Sequence, residues 1–328
     1  MTTFIATLTP MLTLFLCMAT GFIFSKCNIL SDGSGKVMAK LETWIFCPAL
    51  NFMTMVRFCT VDSIGDHLAN ILFGSACVAL GMTIAILLSR FFAKKGSSER
   101  GIYAYGLAFA NGGYMGDPIV LALFGEVGLS YYKIFYLPFS LMINSWGISV
   151  LIPDTDKKGS LWSKLLNASS VSMLVGIAVG LSGLGKYLPV FFTDSLDALK
   201  VCMGPVAMLL AGVTVAKYDF SAMIRKGRVY VASALRLLVI PAVLIMFLFG
   251  LKTLTNLTLG LSIDNDVLFL LFFATATPLG LNTVVFPEAY GGSPETGASM
   301  ALISHMLCVG TIPLLYAVMV AMFGEPFA

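Results

Sequence analysis

Residues 109–125, FANGGYMGDPIVLALFG, decide the reading of this chain. Both ends are apolar enough for a membrane helix, yet the middle carries Asn111, Gly112, Gly113, Gly116, Asp117 and Pro118. Glycine loosens a helix, and proline removes a backbone donor and clashes with the preceding turn. The stretch therefore predicts two half-helices joined by an unwound crossing, with Asp117 beside the break. Bare backbone at membrane depth is tolerated only inside protein or along a cavity, and such breaks are the best sequence pointer to a transporter's binding site. A second stretch, residues 273–291, FATATPLGLNTVVFPEAYG, has the same character through Pro278, Gly280, Asn282, Thr283 and Pro287. Two broken spans in corresponding places predict a duplicated chain with a site between its halves.

Composition agrees. Of 328 residues, 58% are hydrophobic and only 11% charged, with a mean hydropathy of +0.91, against about 25% charged in a soluble domain. The chain reads as an all-α polytopic membrane protein with the lipid bilayer as its first partner. The basic residues are scattered and form no stripe with interleaved aromatics, so nucleic-acid binding is not expected. Seven cysteines without a CxxC pair, and two distant histidines, His67 and His305, predict buried thiols and no metal site. No phosphate loop, HExxH or GxSxG motif is present, so neither catalytic residues nor direct ATP drive is expected, and no cofactor.

Apolar runs of about 20 residues, the length of a span, begin near Phe4, Met38, Ala69, Phe109, Tyr131, Leu165, Leu196, Val229, Phe273 and Ala298. These ten predict a five-helix repeat over 1–152, a cytoplasmic linker over 153–163 and a second repeat over 164–328. Pro48 parallels Pro205, Pro118 parallels Pro278, and Pro138 parallels Pro313. An odd number of spans per half makes the repeat inverted. Residues 184–199 have the length of a short interfacial helix. With the N-terminus outside, fourteen Lys and Arg fall inside and five outside, including Arg57, Lys133, Lys186, Lys200 and Lys252. The positive-inside bias then puts both termini outside.

Few ionisable groups lie within the apolar runs: Glu42, Asp117, Arg236, Glu288 and His305. Such groups usually face a cavity or a partner. Glu42 and Glu288 stand near span ends and can reach the interface. Asp117 is a candidate for a coupling proton or Na⁺, or a cap for the second half-helix. Arg236 is a candidate partner for Asp117, a snorkelling residue or an anion ligand. His305 reads first as a hydrogen-bonded packing residue and second as a proton relay. Asn111, Asn282 and Thr283 offer neutral donors and acceptors, and half-helix N-termini favour a carboxylate.

Asn111, Gly113, Tyr114, Gly116 and Pro118 stand at the spacing of Asn-x-Gly-aromatic-x-Gly-x-Pro, and Pro278, Asn282, Tyr290 and Gly291 follow a second pattern with Gly280 in place of alanine. In these motifs, the span count and the prolines, the chain resembles the auxin efflux carrier family, and within it the bacterial malate and malonate permeases. The resemblance implies a scaffold of spans one, two, six and seven, a transport domain of the others, elevator-like movement, and an architecture shared with bile-acid sodium symporters. It implies a substrate at the crossing of spans four and nine, near Asn111, Gly112, Gly113, Tyr114, Pro118, Pro278, Asn282 and Thr283, with Asp117, Arg236 and His305 as ion-coupling candidates. The chain departs from the pattern at Asp117, Pro287 and Ser304-His305.

The expected function is secondary active transport of a small organic anion such as a dicarboxylate. The alternatives are a sodium-coupled symporter of a larger amphipathic anion and a membrane sensor that binds without transport. A scaffold face rich in small residues would support a homodimer. The setting expected is a bacterial inner membrane.

Overall fold

A computed structural model describes residues 2–31, 33–62, 68–152, 168–260 and 263–327, the side chains of a few of these excepted. The linker expected over 153–163 and His67 lie outside the described residues, as do the side chains of Tyr114 and Pro118. The fold is helical. In chain order it comprises α1 (Thr2–Lys26), α2 (Ser34–Leu41), α3 (Cys47–Phe58), α4 (Leu68–Phe92), α5 (Ser98–Ala108), α6 (Asp117–Met142) and α7 (Ile148–Leu151). These are followed by α8 (Ala168–Leu181), α9 (Val190–Lys217), α10 (Phe220–Ile224), α11 (Gly227–Ala234), α12 (Ile240–Leu259), α13 (Asp266–Thr275), α14 (Asn282–Tyr290) and α15 (Pro294–Phe323). Among the described residues, five helical stretches are long and apolar enough to cross a membrane: 68–92, 127–151, 190–217, 227–259 and 294–323. Their outer faces are apolar. Phe91 is 81% exposed and Leu257 80%, which suits lipid and not water.

The remaining apolar stretches are built in pieces, and proline explains several joints. Three π turns, Glu42–Phe46, Gly112–Gly116 and Leu235–Val239, run straight into a helix whose second residue is proline: Pro48, Pro118 and Pro241. Proline has no N–H to return to the carbonyl four residues back, and its ring pushes that carbonyl aside. A widened turn absorbs both effects. A short interfacial helix over 184–199 does not form. One 3₁₀ turn, Leu184–Tyr187, leads through Leu188 and Pro189 directly into α9.

The helices pack in two groups. In the first, α1 lies against α9, and α3 against α8 and α9. Gly21 and Gly212 bring α1 and α9 so close that a Cβ on either would strike the other helix's backbone. These glycines therefore serve packing within the chain. In the second group, α4 contacts α5, α6 and α12, while α15 lies against α11 and α14. The groups meet where α1 and α9 touch α15, and where α2 and α9 touch α14.

Candidate functional site

The two broken stretches meet within the second group. The α5 helix ends at Ala108, and the chain is extended at Phe109. The second helix, α13, ends at Thr275, and α14 begins at Asn282. Between these ends the backbones pair as an isolated antiparallel bridge, Ala110 with Leu279. The N–H of Asn111 donates to the Pro278 carbonyl at 2.7 Å, and that of Gly280 to the Phe109 carbonyl at 3.1 Å. Each break supplies the partners that the other lacks, which is how unwound backbone survives without water. Pro118 does not sit at the opening. It is the second residue of α6, a position that tolerates proline, and the break precedes it at residues 109–111.

A cavity of about 70 Å³ lies beside the bridge, lined by Asn111, Gly113, Gly280 and Asn282 from the two crossings. Tyr105 from α5, Lys133, Tyr136 and Ser140 from α6, Asn144 and, from α3, Asn51 complete its polar wall. Lys133 is the charged residue among those lining it. A larger opening of about 620 Å³ adjoins it, sharing Leu50, Thr54, Gly113, Lys133 and Met203. Arg57, Lys200 and Asp117 also line this vestibule.

The amides are held in defined orientations. His305 places Nδ1 2.7 Å from the Ala301 carbonyl, so that nitrogen carries the proton. Its Nε2 then presents a lone pair, which accepts from Asn111 Nδ2 at 3.3 Å. The amide oxygen of Asn111 is left buried without a partner among the described residues. Asn282 Nδ2 donates to the Tyr105 hydroxyl at 2.9 Å. Asn51 Nδ2 donates to Asn144 Oδ1 at 3.2 Å and to the Ser169 carbonyl at 3.3 Å.

Of the residues expected at the crossing, Asn111, Gly113 and Asn282 line the cavity. Thr283 does not, because its hydroxyl donates to the Gly280 carbonyl and starts α14. Pro278 contributes its carbonyl to the bridge. Gly112 is packed beneath Tyr132 and Tyr136. A Cβ there would stand 2.6 Å from Tyr136 Cζ and 2.8 Å from the Tyr132 hydroxyl. Asp117 neither caps α6 with its side chain nor meets Arg236. It forms an ion pair with Lys133. The Arg236 side chain is 1% exposed, its three nitrogens have no partner among the described residues, and it lines neither cavity, so it does not snorkel. Glu42, placed at a span end by sequence, is fully buried in the first π turn, its carboxylate without a partner among the described residues.

Lys133, Asn51 and Asn144 escape sequence reasoning. By charge bias Lys133 counts with the loop cations, although YYKIFYLPF around it is an apolar run that marks it as unusual.

At the opposite end of the bundle, ion pairs and a hydrogen bond tie the helices beside an opening of about 600 Å³ lined by Ser98, Arg100, Trp146 and Ile152. Lys217, at the end of α9, forms an ion pair with Glu288 of α14, joining the two groups. Lys226 pairs with Glu295, and Ser98 and Ser293 share a hydrogen bond at 2.7 Å. Burial, then the carboxylates of Glu288 and Glu295, push the Tyr218 phenol above its ordinary range.

A family model described as membrane transport protein matches this chain twice, over residues 6–158 and 157–316. No curated protein matches it.

Proposed function

We propose, since the chain belongs to the membrane transport protein family of auxin-efflux-carrier-like proteins, that it is a secondary active transporter of a small organic anion. One observation carries this reading. The two breaks pair across a polar cavity that adjoins a vestibule bearing Arg57, Lys133 and Lys200. Helix breaks lining a cavity place polar backbone and side chains at a substrate, and cations along the approach raise the local concentration of an anion. The cavity of about 70 Å³ is several times the roughly 10–15 Å³ that one water needs by such a measure. A carboxylate head fits there with its remainder toward the vestibule of about 620 Å³, and malate or malonate is the proposed kind of anion.

The finer architecture belongs to the same proposal. Ten spans form two inverted five-helix repeats, a division supported by the doubled family match. The α1, α3, α8, α9 group acts as scaffold and the other as transport domain in an elevator cycle. By the distribution of Lys and Arg, both termini and the vestibule face outward, in a bacterial inner membrane. The vestibule is then the outward opening, and the Lys217–Glu288 pair ties the two groups on the inner side. Asp117 is the proposed site of a coupling proton or Na⁺.

The test is uptake into proteoliposomes of labelled malate, malonate, succinate and an indole carboxylate, with imposed pH, Na⁺ and voltage gradients. Saturable uptake of a small carboxylate is expected. Preference for the indole compound would favour the amphipathic-anion reading. No uptake by folded protein would leave a membrane sensor as the better account.

A further inference from the structure

The ion pair between Lys133 and Asp117 has an unusual setting. On a straight helix the two residues would stand about 24 Å apart. They meet because α6 is not straight: Gly125 has φ 66° and ψ −166°, and the segment folds back there. Gly125 permits this backbone conformation because it has no Cβ. The pair therefore ties two arms of a kinked segment at the mouth of the cavity.

Lys133 is 9% exposed and lines both the cavity and the vestibule. It is held through one carboxylate oxygen of Asp117, Oδ2, while Oδ1 is buried with no partner among the described residues. An ammonium has three donors, so this single contact leaves capacity for another anion. From this arrangement we propose that Lys133 is the counter-cation for the substrate's carboxylate, and that Asp117 occupies it until the substrate displaces it. The inference rests on the anion-carrier reading and names a residue and an exchange for it.

The physical case is one of conserved ion pairing. A buried ammonium deprived of its carboxylate is strongly unfavourable. Exchanging one carboxylate for another keeps Lys133 paired throughout, whereas a neutral solute offers no such replacement. The vestibule also holds further cations. Lys200 lines it beside Asp117, and Asp197 holds Lys200 at 2.5 Å and Arg57 at 3.4 Å. The three cations Arg57, Lys133 and Lys200 against the two carboxylates Asp117 and Asp197 leave one positive charge. One carboxylate completes the balance. A dianion exceeds it by one charge, so it requires an accompanying cation, and the released Asp117 carboxylate is the proposed ligand for it.

Malonate binding to the purified full chain in nanodiscs, by calorimetry, tests the exchange. Lys133→Gln is expected to weaken binding about 10- to 100-fold, the loss of one charge-assisted contact. Asp117→Asn is expected to act in the opposite direction and tighten binding, because the competing carboxylate is gone. Lys133→Arg should retain most of the affinity. The double variant Asp117→Asn, Lys133→Gln leaves neither member of the pair charged, and it should fold and bind as weakly as Lys133→Gln alone. Opposite signs for the two single variants separate exchange from a structural ion pair, in which breaking either partner harms equally. Equal losses in both, or unaltered affinity in Lys133→Gln or in the double variant, would overturn the proposal while leaving the carrier reading intact. A wild-type protein that neither binds nor takes up any carboxylate would overturn both.

Discussion

At the first break the chain turns through Asn111 and a glycine-rich π turn into Asp117, and its side chains open toward the cavity and the vestibule. At the second break every residue from Ala276 to Thr283 is buried and neutral, and Thr283 secures its own helix start. Both breaks give the bridge two strands of equal standing. Their asparagines are not equal. Asn111 donates to His305 and keeps a buried amide oxygen with no partner among the described residues, whereas Asn282 donates to Tyr105. A shared backbone geometry thus carries unlike chemistry: in the proposed carrier the first break supplies the charged side chain of Asp117, while the second lines the cavity with neutral groups only.

The largest expected effect tests that inequality. Asn111→Ala should lower kcat/KM for uptake about 100-fold and Asn282→Ala about 10-fold, since a lost contact to a charged ligand exceeds a neutral one. Equal losses would restore the symmetry of the two breaks. Next in size is a contrast within one turn. Gly112→Ala must push Tyr136 or Tyr132 aside and should destabilise the protein by about 1–3 kcal/mol, read as a lower Tm. Gly113→Ala meets nothing within 4 Å, so Tm should hold while KM rises, because the methyl enters the cavity. Asp117→Asn should leave an uptake that no longer depends on imposed pH or Na⁺ gradients. An unaltered dependence would remove Asp117 as the coupling site. The smallest effect is expected of Tyr105→Phe, which strips the Asn282 amide of its partner at about 1 kcal/mol, seen as a few-fold rise in KM.

The helical membrane class, the two breaks and the pair of asparagines were legible because they rest on local chemistry: apolar length, glycine, proline and amides in apolar runs. What the sequence did not disclose depends on distant partners. The opening falls at residues 109–111 and not at Pro118, because residues 278–280 supply the hydrogen bonds that let a strand form there. Lys133 reads as a loop cation until the fold-back at Gly125 brings it to Asp117. Pairing with Asp117 is one of three candidate roles for Arg236 in the sequence, and the pairing of Asp117 with Lys133 leaves Arg236 without a partner among the described residues. Glu42 reads as an interfacial residue until α9 and α14 close over its turn. Periodicity and spacing report neighbours along one helix, and each of these residues is defined by a neighbour on another segment.

The bridge between Ala110 and Leu279 also sets an order of events during biosynthesis. When the first break emerges into the bilayer, its partners lie 169 residues downstream and have not been made. The Asn111 amide and the Phe109 carbonyl must then be hydrated or borrowed by another chain until the second break arrives, because lipid offers them nothing. The early half is therefore an insertion intermediate that needs water, a holding factor or a second half supplied in trans. Severing the chain between the halves and expressing both pieces together should recover an assembled carrier, whereas the first half alone should be degraded.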